Sequence, residues 1–270
     1  MNWLEALFIG FIQGISEFLP ISSTAHLLIF EKVFSINIGE NDLTFEIFLH
    51  FASLLAVLFY FRYELLKILQ DFIAYLFKKN KRTKANFRFG LLMILSTLVT
   101  LIVGKGIEEG LGEGIRSTAT VGASLIITGL FLILMEHGVH LGKRDVEQMT
   151  WKDGILIGFG QALAVIPGIS RSGSTLVAAL WCGLERDTAI KYSFLLSIPV
   201  IGGLTFLKIP EISSSFLQAH DIVPLILAFI SSFIFAIVGI KWLISMVQQT
   251  KLSLFAIYCI GLGVMTWTFL

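Results

Sequence analysis

The sequence predicts an all-α integral membrane protein, an inverted-topology repeat of about six transmembrane helices plus two re-entrant helical hairpins. Three observations lead there: the composition, two apolar stretches broken at proline and hydroxyl residues, and the recurrence of one residue pattern in both. Of 270 residues, 56% are hydrophobic and only 14% charged, with a mean hydropathy of +0.85. A soluble domain carries about a quarter charged residues, so this chain lacks the polar residues to clothe a water-facing surface. The 24 phenylalanines suit lipid-facing helices, and the lipid bilayer is the expected environment. No soluble extramembrane domain and no removable signal peptide are expected, since the start lacks a basic segment followed by a small-residue cleavage site. Cys182 and Cys259 each stand alone in apolar surroundings and read as packing residues. No nucleic-acid partner is expected.

In chain order, Trp3–Phe30 is apolar but interrupted by Glu17, Pro20 and Ser22-Ser23-Thr24. Phe45–Tyr63, Phe87–Val103 and Thr118–Glu136 come after it, each close to the roughly 20 apolar residues a spanning helix needs. Trp151–Leu184 is again broken, at Pro167-Gly168 and at Ser170-Arg171-Ser172-Gly173-Ser174-Thr175. Three more spans are Ala189–Leu207, holding Pro199 and Gly202-Gly203, then Ile222–Ile244 and Leu252–Leu270.

The two broken stretches match at an offset of 148 residues: Trp3 with Trp151, Gly10-Phe11 with Gly158-Phe159, Gln13 with Gln161, Ser22 with Ser170. Pro20 and Pro167 fall one residue out of register. Neither half of a broken stretch crosses a bilayer alone, and the backbone freed at each break must be satisfied within protein or beside a water-filled cavity. The economical reading is a hairpin that enters and leaves on one side. An odd number of spans separates the two hairpins, so they enter from opposite faces and their hinges meet near the midplane. Residues 1–141 form repeat one and residues 142–270 repeat two, within a single membrane domain.

Charge sets the orientation. After the first span come Arg62, Lys67, Lys78, Lys79, Lys81, Arg82, Lys84 and Arg88 against Glu64 and Asp71. The positive-inside rule makes this a cytoplasmic loop. Glu31–Glu46 and Gly104–Ser117 then lie outside, Gly142–Lys152 returns to the cytoplasm, and the first hairpin faces the exterior or periplasm.

In the first hairpin Gln13 and Glu17 share a helical face. A carboxylate inside a membrane segment is costly, which makes Glu17 a functional candidate; interfacial snorkelling or pairing with a base is the structural alternative. Ser22, Ser23 and Thr24 open the second half-helix, where they serve as caps or beside an anion on free amides. His26 lies on the face of Ser22 and Ser23. In the second hairpin Arg171 stands at membrane depth among Ser170, Ser172, Ser174 and Thr175, and its guanidinium suits a phosphate. Its structural alternative is a bridge to Glu17. Hydroxyls, helix N-termini, an arginine, a histidine and a carboxylate together describe a phosphate site, although no nucleotide loop is present. Glu46 and His50, four apart, are candidates to stand behind the site; His137 and His140 read as interface residues. Gly10-x3-Gly14 reads as helix packing.

Gln13-x3-Glu17-Phe-Leu-Pro-Ile-Ser-Ser-Thr-Ala-His26 and Pro167-Gly-Ile-Ser-Arg171-Ser-Gly-Ser-Thr175 resemble the two signature motifs of the bacterial undecaprenyl-diphosphate phosphatase family, associated with bacitracin resistance. The resemblance covers essentially the whole chain. It implies hydrolysis of the C55 prenyl diphosphate to the monophosphate, recycling the carrier for cell-wall synthesis at the bacterial cytoplasmic (inner) membrane with a divalent cation, Mg2+ or Ca2+. It also implies that Glu17 is the essential carboxylate, His26 the essential histidine and Arg171 the phosphate binder; hard cations prefer carboxylate and phosphate oxygens, which makes Glu17 the expected metal ligand. Ser23 resembles the serine proposed as nucleophile or ligand, leaving Ser23, His26 and water as alternatives. Substrate contacts are expected from Gln13, Ser22, Thr24, Ser170, Ser172, Ser174 and Thr175. Gln13 stands where other members carry Glu or Gln, and an amide cannot act as a base. Val177 occupies the place of the histidine in the Ser-Arg-x5-His signature of another lipid phosphatase class, which excludes that class. The polyprenyl diphosphate lipid is the expected partner, and the chain is compatible with a homodimer. A translocase of a polyprenyl phosphate lipid is the competing function: it needs a phosphate binder but neither nucleophile nor base.

Overall fold

The computed structural model describes residues 1–34, 42–112, 117–138, 142–208, 221–249 and 251–270. Eleven α-helices are described: α1 (Trp3–Phe18), α2 (Ser23–Phe34), α3 (Asp42–Tyr60), α4 (Arg62–Lys78), α5 (Lys84–Leu111), α6 (Thr118–Gly138), α7 (Trp151–Ala162), α8 (Arg171–Trp181), α9 (Arg186–Lys208), α10 (Ile222–Gln248) and α11 (Ser253–Phe269). The described residues contain no strand, only an isolated bridge between Arg144 and Leu184. The expected division after residue 141 falls at the edge of the stretch 139–141, outside the described residues.

Four helices are long and apolar enough to cross a membrane singly: Lys81–Leu111, Thr118–Glu136, Arg186–Leu207 and Ile222–Gln248. α3 passes only jointly with α4, across a 75° bend, and α11 is apolar but 17 residues long. Outward-facing Leu91, Ile94 and Leu98 on α5, with Ile226, Ile230 and Ile234 on α10, are exposed. That is the pattern expected where lipid, not water, is the solvent.

The structure revises one stretch. The basic loop expected after the first span is largely helical: α3 stops at Tyr60 and the chain turns into α4. The cause is amphipathic spacing. Leu65 and Ile68 pack on the core, and Phe72 and Tyr75 sit on Phe87 of α5 at ring distances of 4.8 and 4.5 Å. Leu66, Leu69, Ile73 and Leu76 stay exposed on the neighbouring face, about 100° round the helix. A helix apolar on its outer side and flanked by lysines lies along an interface rather than through it.

Two chemistries start the broken stretches. Asn2 Oδ1 accepts from the Glu5 amide at 2.9 Å while Glu5 returns a carboxylate to the Asn2 amide at 2.8 Å, capping α1 reciprocally. At α7 the Asp153 carboxylate accepts the Thr150 amide at 2.5 Å and is forked by Arg144 at 3.1 and 2.6 Å. Each helix then lies against a long span: α1 on α10 and α7 on α5. A Cβ on Gly10 would meet Ser231 Cβ at 2.8 Å, and one on Gly14 the Ala236 nitrogen at 2.8 Å. Small residues here let the two backbones meet, as helix association in lipid requires. Ser231 Oγ donates to Leu7 O at 2.8 Å, and Ser96 Oγ to Gly154 O at 2.6 Å, so each contact also carries a hydroxyl bond.

Proline stops both helices, and the chain turns differently at each hinge. α1 ends at Phe18, Pro20 comes two residues later, and Ser22 adopts a left-handed φ of 68°. α7 passes through a short 3-10 turn, Leu163–Val165, into Pro167-Gly168, with Gly168 at φ 100°. The hinges touch. The Gly168 amide donates to Ser22 Oγ at 3.2 Å, and Ser172 Oγ donates to Leu19 O at 3.1 Å. Thr128 of α6 donates to Gly168 O at 2.9 Å and accepts the Ser170 amide at 3.3 Å, pinning the second hinge.

Candidate active site at the two hinges

Glu17 lies in the last turn of α1, Ser23 opens α2, and Arg171 opens α8, so hinge contact alone brings all three together. Arg171 Nη2 donates to Glu17 Oε1 at 2.7 Å. Ser23 Oγ donates to Glu17 Oε2 at 2.7 Å, and Gln13 Nε2 to the same oxygen at 2.9 Å. The Glu17 side chain is 3% exposed and that of Arg171 15%. A carboxylate this deep demands compensation, and here it has a guanidinium and neutral donors. Among the described residues Arg171 hydrogen-bonds to protein only through Nη2, so its other N–H groups remain for a ligand.

A fourth donor comes from α3. His50 Nε2 stands 3.1 Å from Glu17 Oε2, while its Nδ1 is 2.7 Å from Glu46 O. A backbone carbonyl only accepts, so Nδ1 carries a hydrogen, and a proton lies between Nε2 and Glu17. His26 faces elsewhere. Its Nδ1 is 2.7 Å from Ser22 O, its Nε2 2.7 Å from Tyr258 Oη, and its ring stacks on Tyr258 at 5.5 Å. Of the two histidines, His50 joins the carboxylate cluster. Its sequence signal was the Glu46-x3-His50 spacing; what sequence lacks is the packing of α3 on α1.

The remaining hydroxyls divide. Thr24 Oγ1 donates to Glu46 Oε1 at 2.8 Å, while Ser22 Oγ is engaged by the Gly168 amide. Ser170 caps α8 by accepting the Gly173 amide at 3.1 Å. Ser174 and Thr175 donate back into their own helix, to Ser170 O and Arg171 O at 2.8 Å each, and Thr175 also meets Ser193. Ser172 holds Leu19 O. The side chains of His137 and His140 lie outside the described residues.

A cavity of about 490 Å³ opens between the hinges. Glu17, Ser23, His50 and Arg171 form one end. Val200, Ile201 and Leu204 of α9 with Ile169 form an apolar wall, and Pro199 interrupts α9 just before it. Of the other expected substrate contacts, Ser22, Thr24 and Ser170 border this cavity; Gln13, Ser172, Ser174 and Thr175 do not. A charged, donor-rich end beside an apolar wall suits a ligand with an anionic head and a hydrocarbon tail.

A divalent cation fits this donor set poorly. Four groups already converge on the two Glu17 oxygens, one of them a guanidinium, so a metal at Glu17 would sit against a positive charge and compete with these donors. Among the described residues no three His, Cys, Asp or Glu side chains cluster for a metal. As placed, the protein groups do not form a hard-cation cage of several oxygen ligands.

Known proteins resemble this chain along nearly its whole length. The family described as bacitracin resistance protein BacA matches residues 6–265. Undecaprenyl-diphosphatase 2 of Halalkalibacterium halodurans is 44% identical over 265 residues, covering 98% of this chain and 95% of that protein. Undecaprenyl-diphosphatase 1 of Shouchella clausii is 40% identical over 270 residues, covering 100% and 97%, and the undecaprenyl-diphosphatase of Oceanobacillus iheyensis is 38% identical over 265, covering 97% and 94%. With the match running through both hinges and every span, the chain is a multi-pass membrane protein that belongs to the bacitracin resistance protein BacA family.

Proposed function

We propose that this protein hydrolyses undecaprenyl diphosphate to undecaprenyl phosphate and inorganic phosphate, recycling the carrier lipid and thereby conferring bacitracin resistance. The observation that carries the reading is Ser23 Oγ, 2.7 Å from a carboxylate whose other oxygen is held by Arg171 at 2.7 Å. That is a nucleophile beside its base, with a phosphate-binding cation alongside. The names of relatives 38–44% identical over nearly their full length support the substrate.

The chemistry comes from the geometry. The prenyl tail lies along the Ile201–Leu204 wall and the terminal phosphoryl group meets the free N–H groups of Arg171. Ser23 Oγ attacks phosphorus and gives its proton to Glu17 as the bridging P–O bond breaks, with that electron pair leaving on the prenyl phosphate. Glu17 gives that proton up to solvent. Water then attacks the phosphoserine, Glu17 takes a proton from the water and passes it to Ser23 as the Ser–O–P bond breaks, which regenerates Ser23 and releases inorganic phosphate. Arg171 offsets the charge growing on the phosphoryl oxygens in both steps. Gln13 and His50 hold the carboxylate in line; Gln13, which cannot take a proton, supports rather than catalyses. A divalent cation, Mg2+ or Ca2+, arriving with the substrate would add charge neutralisation at the diphosphate. The cavity is also bordered by Glu46 and Glu108, both from segments assigned to the exterior by loop charge, which supports access from the periplasmic side of the inner membrane.

Phosphate release from C55 diphosphate by purified protein in detergent with Mg2+ or Ca2+ tests this. Turnover that disappears in folded Ser23→Ala and Arg171→Met variants supports the reading. A folded wild type that binds the lipid without turnover sinks it and puts translocation first.

A further inference from the structure

Three buried polar side-chain atoms among the described residues have no hydrogen-bond partner: Gln13 Oε1, Gln161 Oε1 and Thr205 Oγ1. The last two border the hinge cavity, although their residues are only 2% and 7% exposed. Leaving such a group unsatisfied in a buried site costs free energy; Thr205 Oγ1 can donate to a ligand as it stands, and Gln161 can once its side-chain amide is turned over. The other hydroxyls around the cavity are committed, Ser22 to Gly168, Thr24 to Glu46 and Ser170 to Gly173.

Gln161 is also mounted. Its Nε2 donates to Thr100 Oγ1 at 3.2 Å, and Thr100 Oγ1 lies 2.8 Å from Ser96 O and 3.1 Å from Gly158 O. In this arrangement Gln161 turns its oxygen and one N–H away from Thr100. Rotation about its soft terminal torsion lets Thr100 donate to Oε1 instead, leaving both amide hydrogens for a ligand. Thr205 offers an O–H from α9, one turn beyond the apolar Ile201.

Resting on the phosphatase reading, we propose that Gln161, held by Thr100, and Thr205 form a second subsite that binds the inner, prenyl-linked phosphate. A diphosphate has two phosphoryl groups, and Arg171 with Ser23 accounts for only the outer one. The inner phosphate carries less charge, so neutral donors match it without a second cation. It is also the leaving group. Donors aimed at it strengthen as the bridging bond breaks, so the subsite contributes to turnover as well as binding.

The experiment uses the full-length protein and Gln161→Met, Gln161→Glu and Thr205→Val, with thermal unfolding in detergent as a folding control. A prenyl monophosphate carries the inner phosphate alone, and inorganic phosphate mimics the outer one. Each variant should lower kcat and weaken inhibition by the prenyl monophosphate about tenfold, the scale of one hydrogen bond to a charged group, while inhibition by inorganic phosphate stays unchanged. Gln161→Glu keeps the side-chain shape but brings a negative charge towards the phosphate, so it should lose more than Gln161→Met. Unchanged monophosphate inhibition, or a shift in inorganic phosphate inhibition instead, overturns the subsite. Direct binding of the prenyl monophosphate separates the two readings. Gln161-dependent binding in a wild type without turnover sustains the subsite and sinks the phosphatase.

Discussion

Replacing Glu17 with glutamine keeps its volume, removes its charge and upsets a saturated set of hydrogen bonds. Four donors converge on the carboxylate, from Arg171, Ser23, Gln13 and His50, at 2.7, 2.7, 2.9 and 3.1 Å. An amide supplies one accepting oxygen and two donors of its own. With its oxygen towards Arg171, it sets N–H groups against the Gln13 amide nitrogen and turns Ser23 from donor to acceptor; turned around, it leaves Arg171 without its acceptor. Breaking a buried pair of this kind costs about 3–5 kcal/mol. Arg171 is 15% exposed, so the lower part of that range is expected in the unliganded protein. Ser23 loses its proton acceptor, and loss of positioned base catalysis lowers kcat about 10²–10⁴-fold. Affinity for inorganic phosphate moves the other way. The guanidinium is released and a negative charge beside the incoming anion is removed, so Glu17→Gln should bind phosphate at least as tightly as wild type. Steady-state kinetics on C55 diphosphate with phosphate as inhibitor, beside a thermal unfolding curve with and without phosphate, reads all three quantities. A kcat within tenfold of wild type, or phosphate binding lost together with turnover, would refute the assignment of Glu17 as base beside an arginine that holds the anion.

Three other substitutions have equally definite outcomes. His50→Ala should lower kcat at least tenfold more than His26→Ala in the same assay, because only His50 contacts Glu17. Gly168→Ala should destabilise the protein by about 2–4 kcal/mol in a denaturation assay: the residue sits at φ 100°, and a Cβ would meet both Ser124 Cβ and Val121 O at 2.6 Å. Asp153→Asn weakens the Arg144 fork and the Thr150 cap, and should cost about 1–3 kcal/mol of stability by unfolding while leaving KM for the diphosphate unchanged.

The sequence was most readable where lipid imposes the rule. Twenty-residue apolar runs, proline breaks and the 148-residue recurrence depend on local composition, and the described helices fall on the expected spans. α4 escaped because its helix is amphipathic: read for charge alone it looks like a loop, and only the spacing of Leu65, Ile68, Phe72 and Tyr75 reveals its packed side. The site divided along the same line. Glu17, Ser23 and Arg171 were legible because ionisable and hydroxyl groups at a membrane break need a reason, and their meeting required only that the hinges touch. The orientation of a side chain was not legible. His26 shares a helical face with Ser22 in sequence, yet Tyr258, 232 residues away, takes its Nε2, while His50 reaches Glu17 across a helix contact. Ser172, Ser174 and Thr175 read as ligand groups; in the structure Ser172 bonds Leu19 O of the other hinge, and Ser174 and Thr175 bond their own helix.

The register of the two hairpins explains why the chemistry needs both. At the offset of 148, Ser23 corresponds to Arg171 and Glu17 to Val165, so the second hairpin has no carboxylate where the first has its base, and the first has no arginine where the second has its cation. Each hairpin alone would be a half-site: a serine and base with nothing to hold the phosphoryl group, or an anion binder with nothing to attack it. Gln13 and Gln161 are one of the pairs identical at this offset, and they differ in partner, one bonding Glu17 and the other Thr100. Gln161 borders the cavity and Gln13 does not. Serine and carboxylate come from one hairpin and the arginine from the other, so on the proposed chemistry the site exists only where the hinges meet.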